Sequence, residues 1–373
     1  YALFLHHTVE EIMEDIAIFE QKNVIIEQCI EEITSRLDSK NKTKTSPKKM
    51  GLESWAQLAK DNNAFILLAL HGGIGENGTI QKLLQKKGIP YNGSDHSTSQ
   101  VCINKHATIK KIREMNHPDI EIQKQTPLKT HHLQKCMDET HCAEDLWKKS
   151  NPEAKMMIIK PLSDGCSSGI VCICSAKDLR QYAEIILSKC KTAPAHTFLN
   201  QPNPIELPIN STQFLLEPYI QTDQVSVINA ELMHKRRQGW FELTIVIREK
   251  KGLYSALNPS ITVSEHAVLS VEEKFQGGTG INLTPPPDTL ISPNQRAYIK
   301  ELACKIGQAV NIKQYARLDI FYNILTNKLQ LIEINTLPAL TPSTVLFQQA
   351  LAETPAITPK QFIEQLVSEH VHA

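Results

Sequence analysis

The sequence predicts a fold of the α/β and α+β classes, divided into two or three domains. Its 373 residues are enough for more than one hydrophobic core. Residues 64–70, AFILLAL, form a continuous apolar run that leads into a glycine-rich turn and a helical pattern, as in a strand–turn–helix unit. From about residue 101 onward, helical stretches alternate with short strand patterns that are typical of antiparallel sheets.

The composition shows no bias towards nucleic acid or membrane. The chain has 40 basic and 40 acidic side chains, whereas nucleic-acid binding usually leaves a basic excess. No apolar run approaches the ~20 residues that a membrane helix needs. The nine cysteines are scattered without paired CxxC motifs, which favours a reducing, cytoplasmic compartment. The chain begins at Tyr1 rather than at Met, so we expect an upstream segment to precede it.

The helix and strand patterns follow one another in a clear order. Apolar residues at helical spacing predict helix over residues 8–36, and the polar, basic stretch 38–50 predicts a solvated loop. The run at 64–70 predicts a strand buried on both faces, and a helix follows it. Antiparallel strands are predicted at residues 155–161, 169–174, 213–220 and 240–248. The proline-rich stretch 191–212 predicts a long surface insertion.

Polar residues recur on a later predicted hairpin, ARLDIFYN followed by KLQLIEIN, with its turn near Thr326. Arg317 and Asp319 are two residues apart, as are Glu333 and Asn335, so each pair shares one face of its strand. If the strands pair, the four side chains converge, and their oxygen atoms suit Mg²⁺. The alternative is a cross-strand ion pair between Arg317 and Glu333 on a solvated sheet.

Three further stretches favour nucleotide binding. Lys160 ends a strand pattern and precedes PLSDGCSSG, a small-residue loop whose N–H groups can approach phosphate oxygens. Glu217 closes another strand, where its carboxylate can accept from an adenine amino group. Lys274 leads the glycine-rich stretch EKFQGGTGINLTPPP, which is typical of a lid. Together these stretches predict a nucleotide held between two small sheets.

The sequence resembles the D-alanine–D-alanine ligases of the ATP-grasp superfamily over roughly residues 60–365. The motifs that carry the resemblance occur in the family's order: ALHGGIGENGTIQKLLQKKGIPYNGS, INK, IIKPLSDGCSSGI, LLEPYI, KFQGGTGINLTPPP, ARLDI and IEINTLPALTPSTVLFQQAL. DGCSSG and KFQGGTGINLTPPP look most like the long fused forms of plants and some bacteria.

The resemblance implies an ATP-grasp fold of three parts. An α/β, Rossmann-like N-terminal domain (residues 1–100) is expected to be truncated at its start. A small central subdomain (residues 101–216) and a larger C-terminal catalytic subdomain (residues 217–373) would hold ATP between them. The activity implied is the ATP-dependent joining of two D-alanines through an acyl phosphate, for peptidoglycan precursor synthesis. A D-alanine–D-lactate ligase and a non-catalytic module of a larger fusion protein are the alternatives.

The resemblance also implies roles for individual residues. The nucleotide-binding positions are Lys105, Lys160, Glu217, Ile220, Gln224 and Lys274. The metal positions, for two Mg²⁺ or Mn²⁺ ions, are Asp319, Glu333 and Asn335. The catalytic positions are Arg317, Ser167, Ala339 and His71. The positions that bind D-alanine are His71, Arg317 and Thr344.

Four features depart from the family's usual pattern. A loop whose glutamate binds the first D-alanine has no counterpart in this sequence, and we expect it upstream of Tyr1. Cys166 stands in place of a serine, and Phe275 stands in place of a lid tyrosine; phenylalanine there also occurs in relatives that use D-lactate. Gln224 replaces a ribose-binding glutamate but can still hydrogen-bond hydroxyl groups.

The partners that the resemblance implies are D-alanine and ATP, and a homodimer is expected from the family. Neither nucleic acid nor membrane is expected as a partner.

Residues 131–142, HHLQKCMDETHC, gather histidines and cysteines that could suggest zinc. Their spacing matches no standard zinc site, so we favour a metal-free reading of this stretch.

Overall fold

Two four-stranded antiparallel sheets organise the protein, and most of the predicted site residues lie on them or beside them. The structure is a computed structural model. It describes residues 49–139, 141–150, 156–163, 169–198, 201, 204–207, 210–228, 231–263, 281–341 and 344–371. Apart from residues 49–51, these residues belong to the unit Leu52–Ala373, and the rest of the unit before it, Tyr1–Gly51, lies outside them. The helix predicted over residues 8–36 therefore lies outside the described residues, as does nearly all of the loop predicted over 38–50.

Five helices come first in the described chain. They are α1 (Leu52–Asp61), α2 (Gly73–Glu76), α3 (Thr79–Lys87), α4 (His96–Ile103) and α5 (Lys105–Arg113). The helix predicted after the glycine-rich turn is confirmed as α3. It ends at Gly88, whose φ of 67° is the left-handed conformation that glycine adopts without strain. Asn104 begins α5 by accepting a hydrogen bond from the backbone N–H of Ala107 at 2.9 Å.

The prediction that residues 64–70 form a strand buried on both faces is wrong. Within the described chain this run forms one isolated parallel bridge, between Ile66 and Tyr91. Leu68 is buried, but Leu67 and Leu70 are 41% and 42% exposed. A strand is buried on both faces only if other elements pack against each face. The apolar run itself does not specify whether such elements are present.

The central sheet is built from strands on both sides of a helical segment. Its strands are β1 (Thr126–Lys129), β2 (Met157–Pro161), β3 (Val171–Ile173) and β6 (Gln213–Pro218), in the order β1-β6-β2-β3. The helices of this region are α6 (Thr130–Asp138), α7 (Cys142–Ser150) and α8 (Ala176–Leu187). Apolar side chains of the sheet and helices form one core, with Tyr182 and Phe214 in edge-to-face contact at 5.9 Å. The antiparallel strands predicted here are confirmed.

The stretch predicted as a surface insertion, residues 191–212, is partly built into this core. It contains a short hairpin of β4 (Thr192–Ala193) and β5 (Ile205–Glu206). Ala193, Phe198 and Leu207 are buried in the central core. Prolines break regular structure without deciding whether the intervening apolar side chains are covered, which is why the surface prediction fails.

The C-terminal sheet carries the longest strands. They are β9 (Trp240–Lys250), β10 (Leu253–Ala256), β13 (Tyr315–Asn323) and β14 (Leu329–Asn335), in the order β10-β9-β13-β14. One face packs against helix α9 (Pro293–Ala309). Ser292 and Gln295 form a capping box at the start of α9, with Pro293 at its first position. The hairpin of β13 and β14 is confirmed as predicted.

Two small hairpins and two further helices complete the described chain. They are β7 (Gln224–Ile228) with β8 (Glu231–Lys235), β11 (Ile261–Val263) with β12 (Ile281–Leu283), α10 (Val345–Leu351) and α11 (Pro359–Val371). A third hydrophobic core joins residues of α1 and α3 to residues of α10 and α11. No helix in the described ranges is long and apolar enough to cross a membrane.

A β-bulge interrupts the pairing of β13 with β14 beside the polar residues. Asp319 lies opposite Glu333, but the next residue, Ile320, lies opposite Leu331. Ile332 is therefore an extra residue in β14 without an opposite partner.

The extra residue exchanges the two faces of β14. Leu329, Leu331 and Ile334 all lie in the core beneath the sheet, although strict alternation would place Ile334 on the other face from the two leucines. Glu333 and Asn335 consequently lie on the face away from that core, which they would otherwise have entered.

Candidate active site

Two charged clusters lie on the two sheets. The first is on the outer face of β13 and β14, where Arg317 lies opposite Asn335 and Asp319 lies opposite Glu333. The predicted convergence of these four side chains is therefore present in the structure. The predicted alternative, an ion pair between Arg317 and Glu333, is not the pairing observed. Arg317 instead pairs with Asp319 on its own strand, Nη2 to Oδ2, at 2.9 Å.

Hydrogen bonds join the oxygen-bearing side chains of the first cluster. The amide nitrogen of Asn335 lies 3.2 Å from Asp319 Oδ2 and 3.4 Å from Glu333 Oε1. On the neighbouring strand β9, Thr244 Oγ1 donates to Asp319 Oδ1 at 2.8 Å. Two carboxylates and one amide so close together fit a hard divalent cation, because such ions take oxygen ligands. A half-turn of the Asn335 amide would present its oxygen to the ion.

Cations balance these carboxylates in the structure. Lys105, the first residue of α5, is buried, and its Nζ lies 3.2 Å from Glu333 Oε2. Burial opposes the charge of Glu333, but Lys105 and Arg317 outweigh it and lower the pKa of this carboxyl group. Lys160 contributes to the same lowering, so its ammonium group lies within electrostatic range of Glu333. Burial and the neighbouring Glu333 raise the pKa of Asp319, against the opposing effect of Arg317.

Arg317 combines a stable charge with an unused donor. Burial disfavours its charge, but Asp319 and Glu333 outweigh burial and raise the pKa of the guanidinium. Its Nε is buried and has no hydrogen-bond partner among the described residues. A buried, unpaired donor on a permanent cation suits a ligand that brings a negatively charged or carbonyl oxygen.

The second cluster is on the central sheet. Lys160 of β2 and Glu217 of β6 are both buried and form an ion pair. Gln125 Nε2 lies 3.3 Å from Glu217 Oε2. Glu217 lies near the end of β6, where the chain leaves for the C-terminal sheet.

Glu76 was not predicted as a site residue, but it anchors the segment around His71. It is 4% exposed, and its Oε2 accepts from the backbone N–H of Gly72 at 2.8 Å. Its Oε1 accepts from the N–H of Leu337, just after β14, at 3.1 Å. His71 Nδ1 lies 3.4 Å from Glu76 Oε2 and 3.3 Å from the Leu337 carbonyl oxygen. The only signal in the sequence is a carboxylate directly after Gly75 in an otherwise apolar, glycine-rich turn.

The remaining predicted residues are more dispersed. Ile220 is half-buried in the connection after β6, and Gln224 begins β7. Ala339 is half-buried in the loop after β14. Thr344 precedes α10 and donates through Oγ1 to the carbonyl of Thr341 at 2.9 Å. The predicted residues that lie outside the described residues are Cys166, Ser167, Lys274 and Phe275.

Two cavities of about 400 and 450 Å³ lie elsewhere, and both are lined in part by Glu249, Lys251 and Gln314. None of the predicted site residues lines them. The carboxylate of Glu249 is occupied by the backbone N–H groups of Gly252 and Gln314, at 2.6 and 3.2 Å. We therefore assign the candidate active site to the charged clusters, whose groups can exchange partners with a ligand.

No group of three or more His, Cys, Asp or Glu side chains in the described ranges is arranged to hold a metal ion. The first cluster has two carboxylates, and its third oxygen-bearing group is the amide of Asn335. The stretch 131–142, apart from Thr140, is described; its Cys136 and Cys142 sulfur atoms lie 3.7 Å apart.

Comparison with known sequences gives a consistent set of relatives. Residues 216–368 match the family described as D-ala D-ala ligase C-terminus. A D-alanine–D-alanine ligase of Aquifex aeolicus is 24% identical over 284 residues, which are 75% of this chain and 74% of the relative. D-alanine–D-alanine ligase A of Bacillus cereus is 26% identical over 347 residues, which are 90% of each chain.

Comparison with solved structures agrees on the fold. The D-alanine–D-alanine ligase of Bacillus anthracis complexed with ATP matches with a TM-score of 0.57 at 19% identity, covering 86% of this chain and 84% of that one. The VanG D-Ala:D-Ser ligase of Enterococcus faecalis matches with a TM-score of 0.57 at 18% identity, covering 82% and 72%. The mixed α/β fold is thus that of the ATP-grasp ligases, as predicted. Residues 216–368 thus match the C-terminal part of the D-alanine–D-alanine ligases, and the chain is similar to such ligases over most of its length at 24–26% identity.

Proposed function

We propose that this protein is an ATP-dependent ligase that joins two D-alanines to D-alanyl-D-alanine for peptidoglycan precursor synthesis. The observation that carries the proposal is the cluster of Arg317, Asp319, Glu333 and Asn335 on one sheet face, with Lys105 against it. In the reaction, the γ-phosphoryl group of ATP passes to the carboxylate of the first D-alanine, giving an acyl phosphate and ADP. The amine of the second D-alanine then attacks the acyl carbon, and phosphate leaves with loss of a proton.

Lys105 and Lys160 would bind the phosphates of ATP. Both are buried, and each is paired with a carboxylate in the structure, Glu333 and Glu217 respectively. A phosphate oxygen can replace the carboxylate as the partner of each ammonium group, so neither cation need be left unpaired at any stage. Lys274 would contribute a third positive charge from the predicted lid. Glu217, Ile220 and Gln224 are proposed for adenine and ribose.

Arg317 would act on the oxygen that becomes negative when the amine attacks. Its guanidinium remains charged because the neighbouring carboxylates raise its pKa. The buried Nε, without a partner among the described residues, is the donor that such an oxygen can satisfy. Ala339 and Ser167 are proposed as further contributors, and His71 and Thr344 are proposed to bind the two D-alanines.

Asp319, Glu333 and Asn335 would hold Mg²⁺ or Mn²⁺ ions. Such ions offset the negative charge of the phosphates during transfer. The residues themselves supply the oxygen atoms, and Thr244 fixes the orientation of one carboxylate. Glu333 is paired with Lys105 in the structure, and its carboxylate would be available to hold such an ion if Lys105 paired with phosphate instead.

Two observations bear on the identity of the second substrate. Phe275 stands at the lid position where relatives that use D-lactate also have phenylalanine. D-lactate is therefore a candidate second substrate, and its product would be a depsipeptide. D-serine is a further candidate second substrate, because the fold is similar to that of a D-Ala:D-Ser ligase. A non-catalytic module within a larger fusion protein is the remaining alternative, and the retention of every predicted charged residue on the two sheets speaks against it.

We further propose the division into residues 1–100, 101–216 and 217–373, with ATP between the last two parts. A homodimer and a cytoplasmic location are proposals that rest on family resemblance. The likeness to long fused forms rests on DGCSSG and KFQGGTGINLTPPP alone, and the relatives described above give it no support.

The test is phosphate release from ATP and Mg²⁺ in the presence and absence of D-alanine. The wild-type chain is compared with Asp319→Ala, and the products formed with D-alanine, D-serine and D-lactate are identified by mass spectrometry. Release that requires D-alanine and is lost in the variant supports the ligase. A chain that binds ATP but releases no phosphate with any of the three acceptors would contradict it and favour the binding module.

A further inference from the structure

The connection between the two sheets ends at a carboxylate whose side chain is completely buried. Asp223 directly precedes Gln224, and its side chain has no exposed surface. We propose that Asp223 is a positioning residue for the nucleotide, holding residues 217–224 in place against the C-terminal sheet; the inference rests on the proposed function. It would act through the chain that surrounds the adenine and ribose, without contact with the ligand.

The connection is fixed at its start by the central sheet and its neighbours. The backbone N–H of Tyr219 donates to the carbonyl of Met156 at 3.1 Å. Gln123 Nε2 donates to the carbonyl of Pro218 at 2.6 Å. Glu217, within β6, is held by Lys160. The first residues of the proposed adenine-binding segment therefore move with the central sheet.

Asp223 fixes the other end to the C-terminal sheet. Its backbone N–H donates to the carbonyl of Trp240, the first residue of β9, at 2.8 Å. Its Oδ1 accepts three backbone N–H groups of the turn before β9, from Arg237 at 2.8 Å, Gln238 at 3.0 Å and Gly239 at 2.8 Å.

The other carboxylate oxygen holds the hairpin that follows. Asp223 Oδ2 lies 2.9 Å from His234 Nε2 on β8, and the His234 ring lies 5.3 Å from the ring of Phe241 on β9. Val225 and Leu232, one on each strand of the hairpin, pack against the C-terminal core. Gln224 is thus attached to the C-terminal sheet through its neighbour.

These contacts make Asp223 the point at which the connection passes from one sheet to the other. Between Tyr219 and Asp223 the chain crosses the space that separates the sheets, where the nucleotide is proposed to lie. If the carboxylate is lost, the four groups that it accepts from lose their common partner, and the position of residues 220–224 is no longer set by the C-terminal sheet. ATP binding should then weaken while the D-alanine subsites, which belong to other segments, are unaffected.

The test uses Asp223→Ala and Asp223→Asn. Asparagine keeps the oxygen that accepts the three backbone N–H groups but carries no negative charge. Asp223→Asn therefore separates the effect of the hydrogen bonds on ATP binding from the effect of the charge. The matched control is Glu249→Ala, which removes another buried carboxylate that accepts two backbone N–H groups, at the far end of β9. For each chain the Kd of ATP is measured by calorimetry, and the KM values of ATP and D-alanine and kcat are measured separately.

We expect Asp223→Ala to raise the Kd and KM of ATP at least tenfold, with the KM of D-alanine changed less than twofold. Asp223→Asn and Glu249→Ala should both stay within threefold of wild type for ATP. If Asp223→Ala does not fold, Asp223→Ser, which keeps one acceptor, is judged by the same criteria.

Two results would overturn the inference. One is wild-type ATP affinity in Asp223→Ala; the other is an equal loss for ATP and D-alanine that Glu249→Ala shares, which would mark general destabilisation. Failure of the proposed function is seen separately, in the wild-type chain, as an absence of ATP binding or of D-alanine-dependent phosphate release. Absence of ATP binding in the wild type would overturn both proposals.

Discussion

The ion pair between Lys160 and Glu217 should be strongly coupled, since both charges are withdrawn from water. Their side chains are 6% and 9% exposed. Gln125 is a further polar partner of Glu217, and it carries no charge that could replace the lysine. Removing either partner therefore leaves the other charge buried without its nearest counterion.

The expected magnitude follows from this burial. Breaking a buried pair by removing one partner costs about 3–5 kcal/mol, because the remaining charge stays desolvated. Glu217→Leu should show the full effect. Lys160→Met should lie near the lower end, since Gln125 still donates to the carboxylate. The double variant removes both charges and should return to within about 1 kcal/mol of wild type.

The assay is a double-mutant cycle of urea unfolding followed by circular dichroism. A matched control cycle is made on Lys360 and Glu364, an exposed pair on α11 with side chains 84% and 61% exposed. That pair should show no measurable coupling, because water screens it. Nearly additive losses for Lys160 and Glu217, with a coupling below about 1 kcal/mol, would refute the reasoning and show that water reaches the pair.

Two further perturbations test other contacts of the site. Thr244→Val removes the hydrogen bond to Asp319. Because a bond to a charged acceptor contributes about 1.5–3 kcal/mol, kcat should fall by roughly 10- to 150-fold. Thr244→Ser should keep the activity, and equal activity of all three chains would contradict this role. Burial opposes the ionisation of Asp223, but the backbone N–H groups and His234 outweigh it and hold its pKa below the ordinary value of 3.8. This stabilisation is present above the pKa of the unfolded chain and is lost as the pH falls through the lower value of the folded protein. Between pH 6 and pH 3 the free energy of unfolding, measured with urea, should therefore fall more steeply for wild type than for Asp223→Asn. The same pH dependence in both chains would contradict a stabilising role for the ionised Asp223.

Much of the C-terminal sheet could be predicted because its residues repeat with the period of a strand. Arg317 and Asp319 on one strand, and Glu333 and Asn335 on the next, are each two apart, and one hairpin turn brings them together. The same period does not show where the bulge lies. Leu329, Leu331, Glu333 and Asn335 would all share one face under strict alternation, and the structure resolves this conflict between apolar and polar residues by inserting Ile332.

Other features depend on contacts between distant segments and could not be predicted. The apolar run at 64–70 carries no information about which elements cover it, and Leu67 and Leu70 are substantially exposed. Phe198 and Leu207 lie in a proline-rich stretch, yet they complete the central core. Asp223 is held by N–H groups from residues 237–239, so its role depends on a turn that no local pattern links to it.

The bulge at Ile332 also constrains how this protein can vary. Ile332 has no opposite partner on β13, so the identity of its side chain matters less than its presence. Deleting Ile332 would turn Glu333 and Asn335 towards the leucines of the core and would expose Ile334 on the other face. The loss of one residue would thus reverse the positions of both the polar and the apolar side chains. Length at this point should therefore be under stronger selection than composition, and insertions or deletions in β14 should be far less tolerated than substitutions at its extra residue.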